Sequence, residues 1–360
     1  MPRNKKRKFV ETKMDSNEPK TKKRKCNDIL YDKHDILCEK YGIIFPETFY
    51  MFNDFIRLNN IDLKAINLQL VGPFEYINDE LNDLSDDELH IHWRYYYDLP
   101  EFRTIIKVDN DDTGLHWGYW IDEPKTKPVG IVLSTNKVHS EVTGCADNLF
   151  TFLYNWITNK SNKFNNNIIS HIQTNLIKYT KSKHIKILKN NKEIKDYFKK
   201  RSKNIVAKCF HKFGIIVPMN GDIGYRPINT SIPQLKSIFQ KMYDDKMNGK
   251  PINGKRVNDI ITCVCLADDE GDPGMGYELG INFFCSYNIF NKKAKKLLSN
   301  AYHLLNRHKF IEILNAHLNI REQRHNNYNI LSSKIKNKQK VPKKSKKRGL
   351  DDLSSDDEKM

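Results

Sequence analysis

Phe102-Arg-Thr-Ile-Ile-Lys-Val108, Leu115-His-Trp-Gly-Tyr-Trp-Ile121 and Val129-Gly-Ile-Val-Leu133 decide the fold. Each run is short and rich in β-branched and aromatic residues. Between them lie the turn-forming clusters Asp109 to Gly114 and Asp122 to Pro128. Runs of this kind read as strands, and connections this short join antiparallel neighbours, because a parallel crossover needs a dozen or more residues. The spacing therefore predicts an antiparallel meander, with His90 to Tyr97 as a further strand.

Outward from the meander the period changes. Residues 28–41 and 46–59 carry helical spacing, the second entered through Pro46, with Phe49, Tyr50, Phe52, Phe55 and Ile56 forming a broad apolar stripe. Residues 147–158 and the Lys- and Asn-rich 166–201 also read as helical. Beyond them, Ile205 to Pro218, Asp259 to Ala267 and Ile281 to Tyr287 read as strands of a second sheet. Helices are expected near 231–248 and over Ala294 to Leu318. The sum is an α+β fold: a two-domain body with antiparallel sheets and flanking helices, and disordered basic termini. The expected divisions are a tail over 1–27, an N-terminal domain over 28–160, a helical connector over 161–203, a C-terminal domain over 204–325 and a second tail over 326–360.

Charge separates the tails from the body. The 360 residues carry a formal net charge of +17. Residues 1–25 hold eleven basic and three acidic side chains, residues 334–348 nine basic and none acidic, and residues 350–360 one basic and five acidic. Together the ends contribute +13, which leaves +4 for the body. The clusters Lys5-Lys-Arg-Lys8, Lys22-Lys-Arg-Lys25 and Lys343 to Arg348 look like nuclear import signals, and tails of this charge suit non-specific DNA contact. Ser354-Ser355 precede three acids, in the pattern of an acidic-directed phosphorylation site. Seven scattered cysteines, an odd number, fit reduced intracellular thiols. No apolar run approaches the roughly 20 residues that span a bilayer, so no membrane association is expected.

Several motifs fail on chemistry. Gly249 to Lys255 has phosphate-loop spacing, but Arg256 stands where a hydroxyl must bind magnesium. Gly274-Met-Gly-Tyr-Glu-Leu-Gly280 has one residue too many for a dinucleotide fingerprint and reads as a flexible turn. Asp268, Glu270 and Asp272 begin like a calcium loop, yet Pro273 replaces its obligatory glycine. Cys263 with Cys265, and His90 with His92, would share strand faces, but core thiols and half-buried histidines explain them better than zinc. Cys26, His34 and Cys38 lack a fourth ligand.

What remains is the acidic, glycine-rich turn Asp268-Asp-Glu270-Gly-Asp272-Pro-Gly274. Four crowded carboxylates repel unless a cation relieves them, and crowding favours a raised proton affinity in at least one. Arg226, in Gly224-Tyr225-Arg226-Pro227, is a candidate cation if neighbouring elements bring it beside the turn.

These residues carry a resemblance. Asp269-Glu270 with Gly274 to Gly280, together with Gly224-Tyr225-Arg226, resembles the histone PARylation factor family of accessory proteins to poly(ADP-ribose) polymerases that respond to DNA damage. Pro46-Glu-Thr-Phe-Tyr50, Leu68-Gln-Leu-Val-Gly-Pro73 and His92-Trp-Arg-Tyr-Tyr-Tyr-Asp98-Leu-Pro-Glu-Phe102 agree with it, over about residues 28 to 325. The resemblance implies a nuclear, chromatin-associated cofactor that docks on the polymerase catalytic domain, with histones as substrate. It implies Glu270 as the general base that directs ADP-ribosylation to serine, and Asp269, Tyr225 and Arg226 as docking residues. Lys292 is a further candidate for the same surface. No cofactor of its own is implied, since NAD is bound by the polymerase.

Overall fold

The structure, a computed structural model, describes residues 34–81, 83–109, 114–135, 140–323 and 328–330. The three import-like clusters, Cys26 and Ser354-Ser355 lie outside the described residues.

The meander is present. Strands β1 (Leu68–Leu70), β2 (Phe102–Val108), β3 (Leu115–Trp120), β4 (Gly130–Thr135) and β5 (Val142–Ala146) form one sheet in sequence order, every pair antiparallel. Helix α1 covers 34–41 and α2 is Glu47–Leu58. The short helices α3 (Pro73–Ile77) and α4 (Asp86–Ile91) follow β1, and α5 (Leu149–Asn159) follows β5. Trp117 of β3 packs on Phe152 and Trp156 of α5, and Phe52 of α2 meets Phe150 of α5 edge-on. Aromatic burial between sheet and helices thus holds the N-terminal half, each ring removing large apolar area from water.

The strand expected over His90 to Tyr97 is instead the end of α4 and a turn. Ser85 and Glu88 form a reciprocal capping box that starts a helix where the sequence alternates only by chance. The turn that follows is tied from inside. Buried Arg94 donates to the carbonyls of His90 and Leu99, while Asp98 accepts from Tyr95 N, Thr104 Oγ1 and His116 Nε2. His90 and His92 therefore share no strand face, and His92 contacts Glu75 at 2.8 Å.

The second sheet is not found among the described residues. The connector is α6 (Asn166–Ser182) and α7 (Asn191–Ser202), parted at His184 by a left-handed turn. Residues 205–218 contribute one isolated bridge, Ala207 with Ile215. The helices α8 (Ile232–Met247), α9 (Lys255–Asp269), α10 (Pro273–Phe284), α11 (Asn291–Leu304) and α12 (His308–Ile320) follow. Where a strand was expected over Asp259 to Ala267, Val257, Ile260, Val264 and Ala267 are buried at helical spacing on α9. Cys263 and Cys265 are exposed on that helix rather than paired on a strand face.

Every residue of α10 from Gly274 to Phe284 is buried, so the expected flexible turn is a central helix. Its glycines allow close packing. A Cβ at Gly276 would press on Val264 of α9, and one at Gly280 would meet Leu298 of α11 at 2.8 Å. Buried Glu101, next to β2, ties α10 and α11 to the sheet half by accepting from the hydroxyls of Tyr277 and Tyr302 at 2.5 and 2.7 Å. Side chains of both halves belong to one continuous hydrophobic cluster.

Candidate functional site

The acidic turn is the hinge between α9 and α10, and each of its residues has a local reason. Glu270 caps α9, its N–H returning to the carbonyls of Leu266 and Ala267. Gly271 follows at φ +91°, a left-handed conformation that ends helices and that glycine adopts without penalty. Asp272 then precedes Pro273, which opens α10 where a missing N–H costs nothing.

The side chain of Asp272 does not cap α10. It accepts from Gly224 N at 2.7 Å through Oδ1, and its Oδ2 lies 3.0 Å from Arg226 Nη2. Gly274 N donates back to Gly224 O at 2.9 Å. These two hydrogen bonds to the Gly224 backbone, one made by the Asp272 side chain and one by Gly274 N, clamp the 224–226 turn against the start of α10. They fit only because position 274 lacks a side chain, since a Cβ there would stand 2.7 Å from Gly224 O.

The clamp brings Arg226 beside Glu270, with Nη2 2.5 Å from Oε2. The guanidinium thus bridges two carboxylates of unlike exposure, Asp272 at 7% and Glu270 at 57%. Hydrogen bonding to Glu270, then to Asp272, raises the Arg226 pKa further above its usual value.

Asp268 is where proton affinity rises, to about 6, chiefly because the carboxyl is partly buried, with Asp269 a smaller contributor. Its Oδ2 accepts from Asn300 Nδ2 at 2.7 Å, and its Oδ1 is buried without a partner among the described residues. Burial, more than crowding among the acids, is therefore the cause. Asp269 is exposed as the last residue of α9. Tyr225 turns inward and donates to Glu278 Oε2 at 3.0 Å. Lys292 is exposed on the first turn of α11, and no ion pair joins it to the acidic turn among the described residues.

Glu270 and Arg226 stand at the rim of an open cleft of about 310 Å³ between the 226–229 turn and α9, with Ile260, Met275 and Leu266 in its lining. Leu266 is more than half exposed, as is Ile223 beside Gly271. A carboxylate, a guanidinium and uncovered aliphatic side chains thus share one surface, a composition suited to receiving a protein partner. Among the described residues no group of His, Cys, Asp and Glu could hold a metal ion, and no helix is long and apolar enough to cross a membrane.

The sequence offers Arg226 as a candidate cation for the acidic turn, but it does not single out Asp272 for the separate task of holding Gly224. The local signal Asp272-Pro273, a helix-start pair, points to a capping role that the side chain does not take, so the clamp is visible only in three dimensions.

The profile of the family described as Histone PARylation factor 1 matches residues 32–321. The Danio rerio protein named Histone PARylation factor 1 is 33% identical over 297 residues, covering 79% of this chain and 84% of that protein. The Bos taurus protein of the same name is 30% identical over 299 residues, covering 79% and 85%. The Mus musculus protein is 29% identical, also over 299 residues, covering 79% and 85%. The match takes in the sheet, the helical half and the Arg226–Glu270 surface, and the chain belongs to the histone PARylation factor 1 family.

Proposed function

We propose that this chain is a nuclear cofactor that docks on the catalytic domain of a poly(ADP-ribose) polymerase and lends it Glu270. In this reading the two proteins build one active site, and the acceptors are serines, including those of histones, modified in the response to DNA damage. Glu270 takes the proton of the serine hydroxyl. The freed Oγ attacks the anomeric carbon of the ribose in NAD held by the polymerase, and the bond to nicotinamide breaks with its electron pair leaving on nicotinamide. A neutral hydroxyl is a poor nucleophile without such a base. General-base assistance contributes about 10²- to 10⁴-fold, or roughly 3–5 kcal/mol of barrier. An acidic acceptor is already ionised and gains nothing from it.

The observation that carries the reading is the position of Glu270. It is exposed at a helix end, beside a fixed arginine and a rim of uncovered aliphatic side chains. A carboxylate that must reach into another protein's site needs that exposure, and it needs a backbone that does not wander. The clamp from Asp272 and Gly274 to Gly224 supplies the second. Arg226 suits the docking role because its planar fork can leave Glu270 for carboxylate or carbonyl oxygens of the polymerase. Asp269 lies next to Glu270 at the end of α9.

The test is Glu270→Gln in a reconstituted reaction of polymerase, NAD and histone. Serine modification is expected to fall about 10²- to 10⁴-fold while docking persists. Undiminished serine modification would favour a scaffold that only grips chromatin. Arg226→Ala is expected to weaken association in a calorimetric titration while the protein stays folded, with a lower unfolding midpoint because the buried Asp272 carboxylate loses its cation. Unaltered affinity would remove Arg226 from the docking surface.

A further inference from the structure

The near-balance of the body conceals a strong segregation of charge. Residues 178–212 hold thirteen basic and two acidic side chains, a net +11. The rest of residues 26–333 therefore sums to −7. Twelve of the thirteen are lysines, and all twelve are exposed. Among the described residues the single ion pair they make is Lys212 with Glu141.

The array stands on a fixed support. Helix α7 turns Ile194, Phe198 and Arg201 toward the body. Arg201 grips Asp122 through Nε and Nη2 and also donates to the carbonyls of Phe213 and Gly214. Phe198 fills the space above Gly130 and Gly144, and Tyr197 donates to Val129 O at 2.8 Å. With that face committed, Lys192, Lys195, Lys199 and Lys203 fall on the opposite side in a stripe about 80° wide and about 16 Å long. Across a groove of about 480 Å³, Lys208 and Lys212 join Lys195 and Lys199 in its lining.

We infer that this face is a docking surface for the phosphate backbone of double-stranded DNA, read without regard to sequence. Holding so many like charges together is unfavourable until counter-charges arrive, and a duplex presents one phosphate per about 1.7 Å of axis, roughly nine along the α7 stripe. Lysine acts as a point charge with three donors, which suits backbone tracking. Protein interfaces, by contrast, are depleted in lysine and anchored by aromatic and arginine side chains. The site lies on the folded body and is distinct from the basic tails.

The test compares the full chain with a variant carrying Lys192→Gln, Lys195→Gln, Lys199→Gln and Lys203→Gln, by fluorescence anisotropy on a 30-base-pair duplex of arbitrary sequence without polymerase. The tails contribute equally to both proteins. Loss of four phosphate contacts is expected to lower the slope of log K against log salt by about 3.6 and to weaken binding about tenfold or more at low salt. A matched variant, with glutamine at Lys241, Lys246, Lys250 and Lys255, is expected to bind as the parent does. An unchanged slope, or the same loss in the matched variant, would overturn the assignment. Equal binding of polyglutamate, or of vesicles containing phosphatidylserine, would also overturn it, because the surface would then lack preference for a duplex. Urea unfolding midpoints at or above that of the parent confirm that the variants are folded.

Discussion

Gly274→Ala tests the close approach on which the candidate site rests. The added methyl would stand 2.7 Å from Gly224 O and 3.0 Å from Cβ and Cδ2 of Tyr225, short of ordinary contact by about 0.7 and 0.4 Å. The obstacle is backbone and the stem of a side chain, neither of which can swing aside. Alanine in a helix is worth about 1 kcal/mol over glycine. Against that gain, overpacking costs about 1–3 kcal/mol, and stretching the Gly274 N to Gly224 O hydrogen bond costs about 1 kcal/mol more. The net is a destabilisation of about 1–3 kcal/mol, read as a lower urea midpoint with unchanged slope. The displaced turn is the one that carries Arg226, so affinity for the polymerase catalytic domain should fall as well. Gly280→Ala supplies the comparison. It clashes with Leu298 at 2.8 Å and should destabilise by a similar amount, but it lies away from the 224–226 turn and should leave docking intact. A Gly274→Ala protein as stable as the parent, or equal effects of both variants on docking, would refute the reasoning.

Two further outcomes follow from the buried carboxyls. Tyr277→Phe removes one of two hydroxyls donated to Glu101, whose Oε2 already lacks a partner among the described residues; a loss of about 1–3 kcal/mol is expected in urea unfolding. Asp268 has its folded-state pKa raised to about 6 from 3.8, so the folded state binds more protons than the unfolded between those values, and stability contributed by the protonated form is lost as pH rises through about 6. Asp268→Asn, which keeps an acceptor for Asn300, should raise the melting temperature at pH 8 and flatten its pH dependence between about 4 and 6.

The sheet was legible because its strands are short, β-branched and bounded by unambiguous turn clusters, so length and punctuation agreed. Helix α8 is legible because Ile232, Leu235, Phe239, Met242 and Tyr243 fall on one helical face. In the C-terminal half the expected strands and turn give way to helices where one cue overrides another. Ile260-Ile-Thr-Cys-Val264 is rich in strand-forming residues, yet its buried positions follow the helical period. Helix α10 is buried all round, its polar Glu278 and Asn282 included, so no solvent-facing side is left to give its residues a readable period. Its glycines look like a turn in sequence and act as contact points in the fold. The single long helix expected over Ala294 to Leu318 is broken at Asn306, which takes φ +57°, as asparagine does more readily than most residues.

At the site, the pairing of Arg226 with Glu270 could be anticipated from opposite charge, but the division of labour among the acids could not, because it depends on burial. Asp272 and Glu270 contact the same nitrogen of Arg226, and the shorter contact belongs to Glu270. Distance alone would make Glu270 the structural partner. Exposure reverses that ranking. Asp272 is nearly sealed from water and also holds Gly224 N, so removing it would strand a buried donor. Glu270 meets Arg226 in solvent, where water and salt replace most of what the ion pair contributes. The arginine is thus held in place by the aspartate and only lightly by the glutamate. In the proposed reading, a partner that offers Arg226 another oxygen would displace Glu270 and leave the clamp intact, so that docking would also free the carboxylate.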